Sequence, residues 1–172
     1  VMKTKKQVRK KSQVSAAKQP KTGCWEKIAF CSVYLACNSG RRPQHEDDNV
    51  NLLGLVGSEM DHLRAQGFQV IMLGDLNSWT GVEGRYGIPG NRVEINYNGQ
   101  LLTDFLQSKD LDIVNKIPIS QGLFTRFPFN GGGEPTILDL VCTENQLIDR
   151  VEDFTVDENN FNEIKSDHRY YF

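Results

Sequence analysis

Residues 70–81, VIMLGDLNSWTG, constrain the fold more than any other stretch of the chain. Four apolar residues run from Val70 to Leu73 without a polar break, and the run stops at Gly74. A short apolar run that ends at glycine predicts a strand buried on both faces. Asp75 and Asn77 follow at its carboxyl end, where α/β proteins commonly place their chemistry. The alternative is a strand that simply ends in an Asx-type turn.

The residues before this strand predict an α/β arrangement. Residues 27–35, KIAFCSVYL, are rich in β-branched and aromatic residues and predict a strand. Residues 49–66 predict a helix, because apolar residues recur there at three- and four-residue steps. Its cap is expected at 48–49 and its end at Gly67. Strand, helix and strand across 27–74 then form a right-handed crossover unit.

The second half of the chain predicts shorter elements, with no internal repeat and no linker to a second domain. A long loop over 78–97 holds four glycines, and long loops in compact domains tend to be functional. The elements expected after it are a helix over 99–109 capped by Asn98, a strand over 110–114, paired strands over 123–127 and 136–142 joined by a turn at 130–133, a helical turn over 144–148, an edge strand over 151–156, a polar loop over 157–165 and the start of a strand over 168–172.

Charge is divided unequally along the chain. Residues 1–22 carry 8 of the 20 basic residues and no acid, so the other 150 residues hold 12 basic and 22 acidic groups. We therefore expect a flexible basic arm over 1–23 and a domain over 24–172. Such an arm suits contact with nucleic acid or an import receptor, and the alternative is a solvated tail.

Two features of the composition bear on location. No apolar run approaches the roughly 18 residues of a membrane span, so no membrane contact is expected. The four cysteines show no C-x-x-C spacing, which disfavours zinc and favours reduced thiols. Both features predict an intracellular protein, either nuclear or cytoplasmic.

Further polar residues stand near predicted strand ends. Asp139 lies in the otherwise apolar run ILDLVC, and a buried carboxylate needs a partner. His168, in the run SDH, is the expected partner, because a carboxylate fixes the tautomer of an imidazole. Tyr34 ends the first predicted strand and could add a hydroxyl.

These groups together suit phosphodiester hydrolysis. Asp75 could take the proton of water, while His168, Asn77 and Tyr34 could bind phosphate oxygens. Asp167 could help to hold a Mg²⁺ ion, which prefers carboxylate and water oxygens. Each residue alone also has a purely structural explanation, so the hypothesis depends on their order and spacing.

Three motifs carry a family resemblance: GDLN at 74–77, TILD at 136–139 and SDH at 166–168 resemble the endonuclease/exonuclease/phosphatase superfamily. The runs NYNGQLLTDFLQSKDLDIVN, GLFTRF and EPTILDLVCT are similar to endonuclease domains of non-LTR (LINE-type) retrotransposons and to craniofacial development protein 2-like sequences. The resemblance covers residues 27–172. It implies an α/β (α+β) fold, a four-layer α/β/β/α sandwich of the DNase I-like type, with the site at one end.

The resemblance also implies an activity. It is that of a Mg²⁺-dependent DNA endonuclease that nicks its target, with Mn²⁺ as an alternative metal. No obligate protein partner is expected, although the parent element could fuse the domain to a reverse transcriptase. The DNA would be gripped through phosphates and groove shape more than through base edges.

Residue roles follow from matching the motifs. Asp75 matches the water-activating base, and Asn77 matches the residue that orients it and the phosphate. Asp139 matches the residue that orients the phosphate-binding His168, and Asp167 matches a metal ligand. Tyr34 matches an active-site tyrosine, although its flank YLACN departs from the usual pattern. The substrate contacts expected on neighbouring loops are Asn38, Trp79, Arg85 and Tyr86.

The first half of the family pattern has no match before Tyr34. The resemblance implies a strand ending in asparagine there, then a helix bearing a metal-binding glutamate. Glu26 precedes the first strand, and the acids at 46–48 follow Tyr34. We therefore expect weak Mg²⁺ binding and an exposed apolar sheet face. The alternative function is that of an amino-terminally truncated, inactive remnant that at most binds nucleic acid through its basic arm.

Overall fold

A computed structural model describes residues 27–37, 43–129, 133–160, 165–169 and Tyr171. The predicted basic arm, Asn38 and most of the predicted turn at 130–133 lie outside these residues. The elements are β1 (Lys27–Ser32), α1 (Pro43–Ala65), β2 (Phe68–Asp75), α2 (Tyr97–Ser108), β3 (Leu111–Ile113), a 3-10 turn (Val114–Lys116), β4 (Ser120–Gln121), β5 (Asp139–Glu144), α3 (Asn145–Ile148) and β6 (Phe154–Thr155).

Four strands form one mixed sheet in the order β1-β2-β5-β3. β1 runs parallel to β2, while β5 runs antiparallel to both of its neighbours. A second, small sheet pairs β4 with β6 in parallel. The parallel pair joined by α1 confirms the predicted crossover unit, and the mixed α/β class is confirmed with it.

Helix α1 begins earlier than the predicted helix. It starts at Pro43, so the predicted cap at 48–49 is wrong. Residues 44–48 are polar (QHEDD) and carry no apolar periodicity, which hid this first part of the helix. Asn49 lies inside α1 and is buried. The end at Gly67 is confirmed, since Gly67 has a positive φ of 81° and donates to Arg64.

Strand β2 is longer and less buried than predicted. It continues through Gly74 to Asp75, so Asp75 is the last residue of the strand. Val70 and Met72 are fully buried, but Ile71 and Leu73 on the other face are only half-buried. The expectation of burial on both faces is therefore wrong.

Two apolar clusters cover the two faces of the four-stranded sheet. The larger joins β2 to the inner sides of α1 and α2, and includes Met60, Met72 and Leu106. The smaller joins Val141 of β5 to the segment around β6. Neither covers the outer face of β1, where Phe30 is 72% exposed. An exposed apolar face was expected, and in the described structure it lies on this edge strand.

Several elements of the second half also differ from their predicted bounds. Asn96 caps α2 by accepting from Gly99, so the predicted cap at Asn98 is wrong. The expected hairpin over 123–142 reduces to one bridge between Arg126 and Thr136. The edge strand expected over 151–156 is only the two residues of β6. In the part of the chain described here, no helix is long and apolar enough to cross a membrane.

Gly74 provides a test of how closely β2 packs against the segment that follows β1. Its φ is +144°, and an added Cβ would collide with the carbonyl oxygen of Val33. We expect Gly74→Ala to lower the free energy of unfolding by more than about 1 kcal/mol, measured by urea denaturation. The control is Gly54→Ala on α1, where nothing lies within 4 Å of the added methyl group. It should change stability by at most about 1 kcal/mol, in the stabilising direction. Equal unfolding midpoints for Gly74→Ala and the unmodified chain would contradict this packing.

Candidate active site

The ends of β1, β2 and β5 surround a cavity of about 870 Å³. Of the six residues predicted for catalysis and metal binding, five from three separate segments line it: Tyr34, Asp75, Asn77, Asp167 and His168. The sixth, Asp139, lies behind His168 and is hydrogen-bonded to it. The fold therefore brings together residues that are far apart in the chain.

Asp75 and Asp139 lie opposite each other in the β2–β5 register. Burial raises the pKa of Asp75 above its ordinary value, and the negative charge of Asp139 raises it further. The backbone N–H of Asn77 donates to the Asp75 carboxylate at 3.1 Å and opposes this shift. The result is a carboxylate that holds a proton more readily than an exposed aspartate does, which suits a general base.

Asn77 adopts a left-handed conformation with φ of 46°, which asparagine tolerates better than most residues. Its Nδ2 donates to the carbonyl oxygen of Leu35 at 2.9 Å. This bond ties the end of β2 to the segment that carries Tyr34. The side chain thus joins the two loops on either side of the cavity mouth.

Asp139 holds His168 through both carboxylate oxygens. Nδ1 of His168 lies 2.9 Å from Oδ2 and 3.2 Å from Oδ1. Thr125 is fully buried, and its Oγ1 accepts from the backbone N–H groups of Leu138 and Asp139, each at 2.9 Å. With Nδ1 facing a carboxylate, Nε2 is the nitrogen left to face a substrate.

Asp167, the predicted metal ligand, forms an ion pair with Arg126. Nε of Arg126 lies 3.0 Å from Oδ2 of Asp167. Among the described residues, no three histidine, cysteine, aspartate or glutamate side chains are grouped so as to hold a metal ion. With its one predicted ligand already neutralised by a guanidinium, this donor set does not fit a metal centre.

Tyr34 follows β1 and is 60% exposed at the cavity. Partial burial raises the pKa of Tyr34, and the nearby Cys37 and Asp75 raise it further. The hydroxyl therefore stays protonated at neutral pH and can donate a hydrogen bond to an anion.

Three asparagines, of which Asn49 and Asn98 are buried, hold the loops that carry these residues. Asn49 of α1 accepts from the backbone N–H of Ala36 at 2.9 Å and donates to its carbonyl oxygen. Asn98 of α2 donates to the same carbonyl, and its Oδ1 accepts from Asn49. Asn96 donates to the carbonyl of Asn77 at 2.9 Å. Two helices thereby position the cavity loops through amide groups.

Of the predicted substrate contacts in the described structure, only Trp79 lines the cavity. Trp79 lines the cavity, with the guanidinium of Arg92 at 4.2 Å from its ring centroid. Arg85 is paired with Asp110 at 3.2 Å and does not line the cavity. Tyr86 does not line the cavity either, and its ring is buried in the larger apolar cluster. Asn38 lies outside the described residues.

Sequence reasoning missed Arg92 and Arg126 at the cavity, and the supporting Thr125 and Asn96. Thr125 and Arg126 stand in the run GLFTRF. This run contributes to the family resemblance, but the resemblance gives neither residue a role in the site. Arg92 stands in the loop over 78–97, where many polar residues offered no means of choosing among them. No local pattern marks these residues, because their role depends on contacts across the fold.

Comparisons with known proteins bear on the family and the fold of the chain. A family model described as "Endonuclease-reverse transcriptase" matches residues 28–172. No curated protein matches the chain. Among solved structures, it is similar to the "Endonuclease domain of TRAS1, a telomere-specific non-LTR retrotransposon", with 20% identity and a TM-score of 0.50.

That match covers 69% of this chain and 48% of the solved domain, so the chain spans about half of that domain's length. The structural likeness confirms a fold of the DNase I-like type, and the family model confirms the resemblance found in the motifs. The chain belongs to the endonuclease–reverse transcriptase family of the endonuclease/exonuclease/phosphatase superfamily.

Proposed function

We propose that this chain carries the phosphodiester-cleaving site of a retrotransposon-type DNA endonuclease. The observation that carries the proposal is the meeting of Asp75, Asn77 and a carboxylate-held His168 at one cavity. A base, an amide and an imidazole are the groups that hydrolysis of a charged diester requires.

The proposed reaction divides the work among these residues. Asp75 accepts a proton from water while the water oxygen forms a bond to phosphorus. The bond from phosphorus to one ester oxygen breaks, and that oxygen takes a proton from solvent. His168, kept in place by Asp139, and the Tyr34 hydroxyl stabilise the negative charge that builds up on the phosphate oxygens.

The cavity surface supports a nucleic acid as the substrate. Arg92 stacks on Trp79, and Tyr34 and Tyr97 expose 60% and 39% of their surface. Aromatic rings combined with guanidinium groups suit nucleotide bases and the phosphates between them. The basic arm over 1–22 would add contacts to the DNA backbone. An intracellular location, nuclear or cytoplasmic, and fusion to a reverse transcriptase belong to the same proposal.

The family resemblance implies that this cleavage depends on a divalent metal. Endonucleases of this type generally depend on a divalent metal, and Mg²⁺ or Mn²⁺ is the ion expected from the sequence. The described residues do not fit such a centre, since Asp167 is paired with Arg126. This same observation favours the second candidate function, a domain that binds nucleic acid without cleaving it.

Relaxation of supercoiled plasmid tests the proposed cleavage. We expect the full chain to convert supercoiled DNA to the nicked form, with parallel reactions in Mg²⁺, Mn²⁺ and EDTA to establish the metal requirement. His168→Ala should lower the rate about 100-fold or more, because it removes the group that binds the phosphate. Band intensities on agarose gels give the rates.

The matched control is His62→Ala. His62 lies in the last turn of α1, is hydrogen-bonded to Gln66 and does not line the cavity. It should nick as fast as the unmodified chain. If the unmodified chain nicks no faster than His168→Ala in any of the three reactions, the cleavage proposal fails and the non-cleaving candidate is favoured.

Asp75→Asn should raise the stability of the chain at pH 7 and at the same time lower its nicking activity. Because the pKa of Asp75 is raised on folding, the ionised carboxylate destabilises the folded state once the pH exceeds that raised value. Asn resembles the neutral acid, so Asp75→Asn should be more stable than the unmodified chain at pH 7. The gain should shrink as the pH falls, because protonation of Asp75 removes the charge that destabilises the folded state. Nicking should fall about 100-fold or more at all pH values.

Urea denaturation at pH 4 and pH 7 measures this difference. A variant that is equally or less stable than the unmodified chain at pH 7 would contradict the raised pKa of Asp75.

A further inference from the structure

Arg126 occupies a central position at the cavity that neither the motifs nor the family resemblance assigned. Its backbone exchanges hydrogen bonds with Thr136, donating at 2.9 Å and accepting at 2.9 Å. It also forms an isolated bridge with His168. Arg126 is thus held between the segment that leads to Asp139 and the segment that carries Asp167 and His168.

The guanidinium of Arg126 is only partly used. Its Nε donates to Asp167 at 3.0 Å, and its side chain is 35% exposed at the cavity. Within the described ranges, its two terminal nitrogens make no hydrogen bond or ion pair. These nitrogens carry N–H donors that an incoming anion can accept from, although the anion must compete with the Asp167 carboxylate for the charge of the guanidinium.

The carboxylate of Asp167 is already paired with this guanidinium. The positive charge of Arg126 neutralises its carboxylate, and the described residues provide no three-ligand group to draw a metal ion to it. A guanidinium presents parallel N–H donors that match two phosphate oxygens, which a point charge cannot do. Arg126 is therefore a cation that can meet a phosphate in this cavity without a metal ion.

We propose that Arg126, rather than a divalent cation held by Asp167, binds the phosphodiester at this site, so that the site takes a phosphodiester in the absence of metal. The proposal rests on the proposed function for the identity of the ligand. It concerns binding alone, and it holds whether or not cleavage requires a metal. Asp167 acts in it as a competitor, since its carboxylate holds the same guanidinium that the phosphate needs.

The test uses the dinucleotide thymidylyl-(3′→5′)-thymidine and the full chain in EDTA. The probe carries a single phosphodiester, so a basic arm cannot bind it through several phosphates at once. Titration followed by the ³¹P chemical shift of the probe gives the dissociation constant. We expect binding in EDTA, and we expect Arg126→Gln to weaken it about tenfold or more.

Asp167→Asn distinguishes the two sources of positive charge. If Arg126 binds the phosphate, removing the competing carboxylate should tighten binding. If a metal on Asp167 binds it, the unmodified chain should bind the probe only with added Mg²⁺, and the same change should weaken that binding. The matched control is Arg85→Gln, because Arg85 also pairs with an aspartate, Asp110, but lies outside the cavity. It should bind the probe like the unmodified chain.

Binding that requires added Mg²⁺, an Arg126→Gln variant with unchanged affinity, or weaker binding by Asp167→Asn would each overturn the proposal. If Arg126→Gln does not fold by circular dichroism, Arg126→Lys replaces it. Lysine keeps the positive charge but lacks the parallel N–H donors of a guanidinium. Its affinity for the probe should therefore fall but remain measurable. Failure of plasmid nicking with intact binding in EDTA would count against the proposed cleavage and support the role of Arg126.

Discussion

The register between β2 and β5 is the constraint on which this site depends. It places Asp75 opposite Asp139 at the ends of two hydrogen-bonded strands. Two neighbouring carboxylates repel each other, so one of them needs a positive or hydrogen-bonding partner and the other holds a proton more readily. Asp139 holds the His168 ring, while Asp75 keeps a raised pKa and remains at the cavity surface. If one strand slipped by a single residue, its side chains would turn to the other face of the sheet. Asp75 and Asp139 would then no longer lie side by side, and the site would be lost.

Uncharged polar groups hold the surrounding loops in position. Thr125 binds two consecutive N–H groups at the start of β5, and Asn49 binds both backbone polar groups of Ala36. Such buried groups stabilise a fold only when their hydrogen bonds are made. They connect the cavity to α1 and α2, so helix packing and site geometry are not independent. This support also explains how Asn77 is kept in a left-handed conformation.

The sequence predicted the elements that have strong local signals, and it failed where the signal was weak. The crossover unit and the stop at Gly67 follow from apolar periodicity and a glycine, and both are present. The start of α1 was missed because its first residues are polar, and the cap of α2 was misplaced because Asn96 and Asn98 are equally suitable residues. Tyr86 is buried although it stands in a glycine-rich loop, where an aromatic residue gives no local indication of burial.

The sequence by itself determined the family and the polar residues near the strand ends, and it led to the hypothesis of phosphodiester chemistry. These depend on short motifs whose residues are neighbours in the chain. Only the tertiary structure decided that Arg126 neutralises Asp167, that Arg85 lies away from the cavity and that Arg92 stacks on Trp79. Arg126 and Asp167 are 41 residues apart. The choice of partner for a charged side chain is made by the packing of distant segments, and no local pattern encodes it.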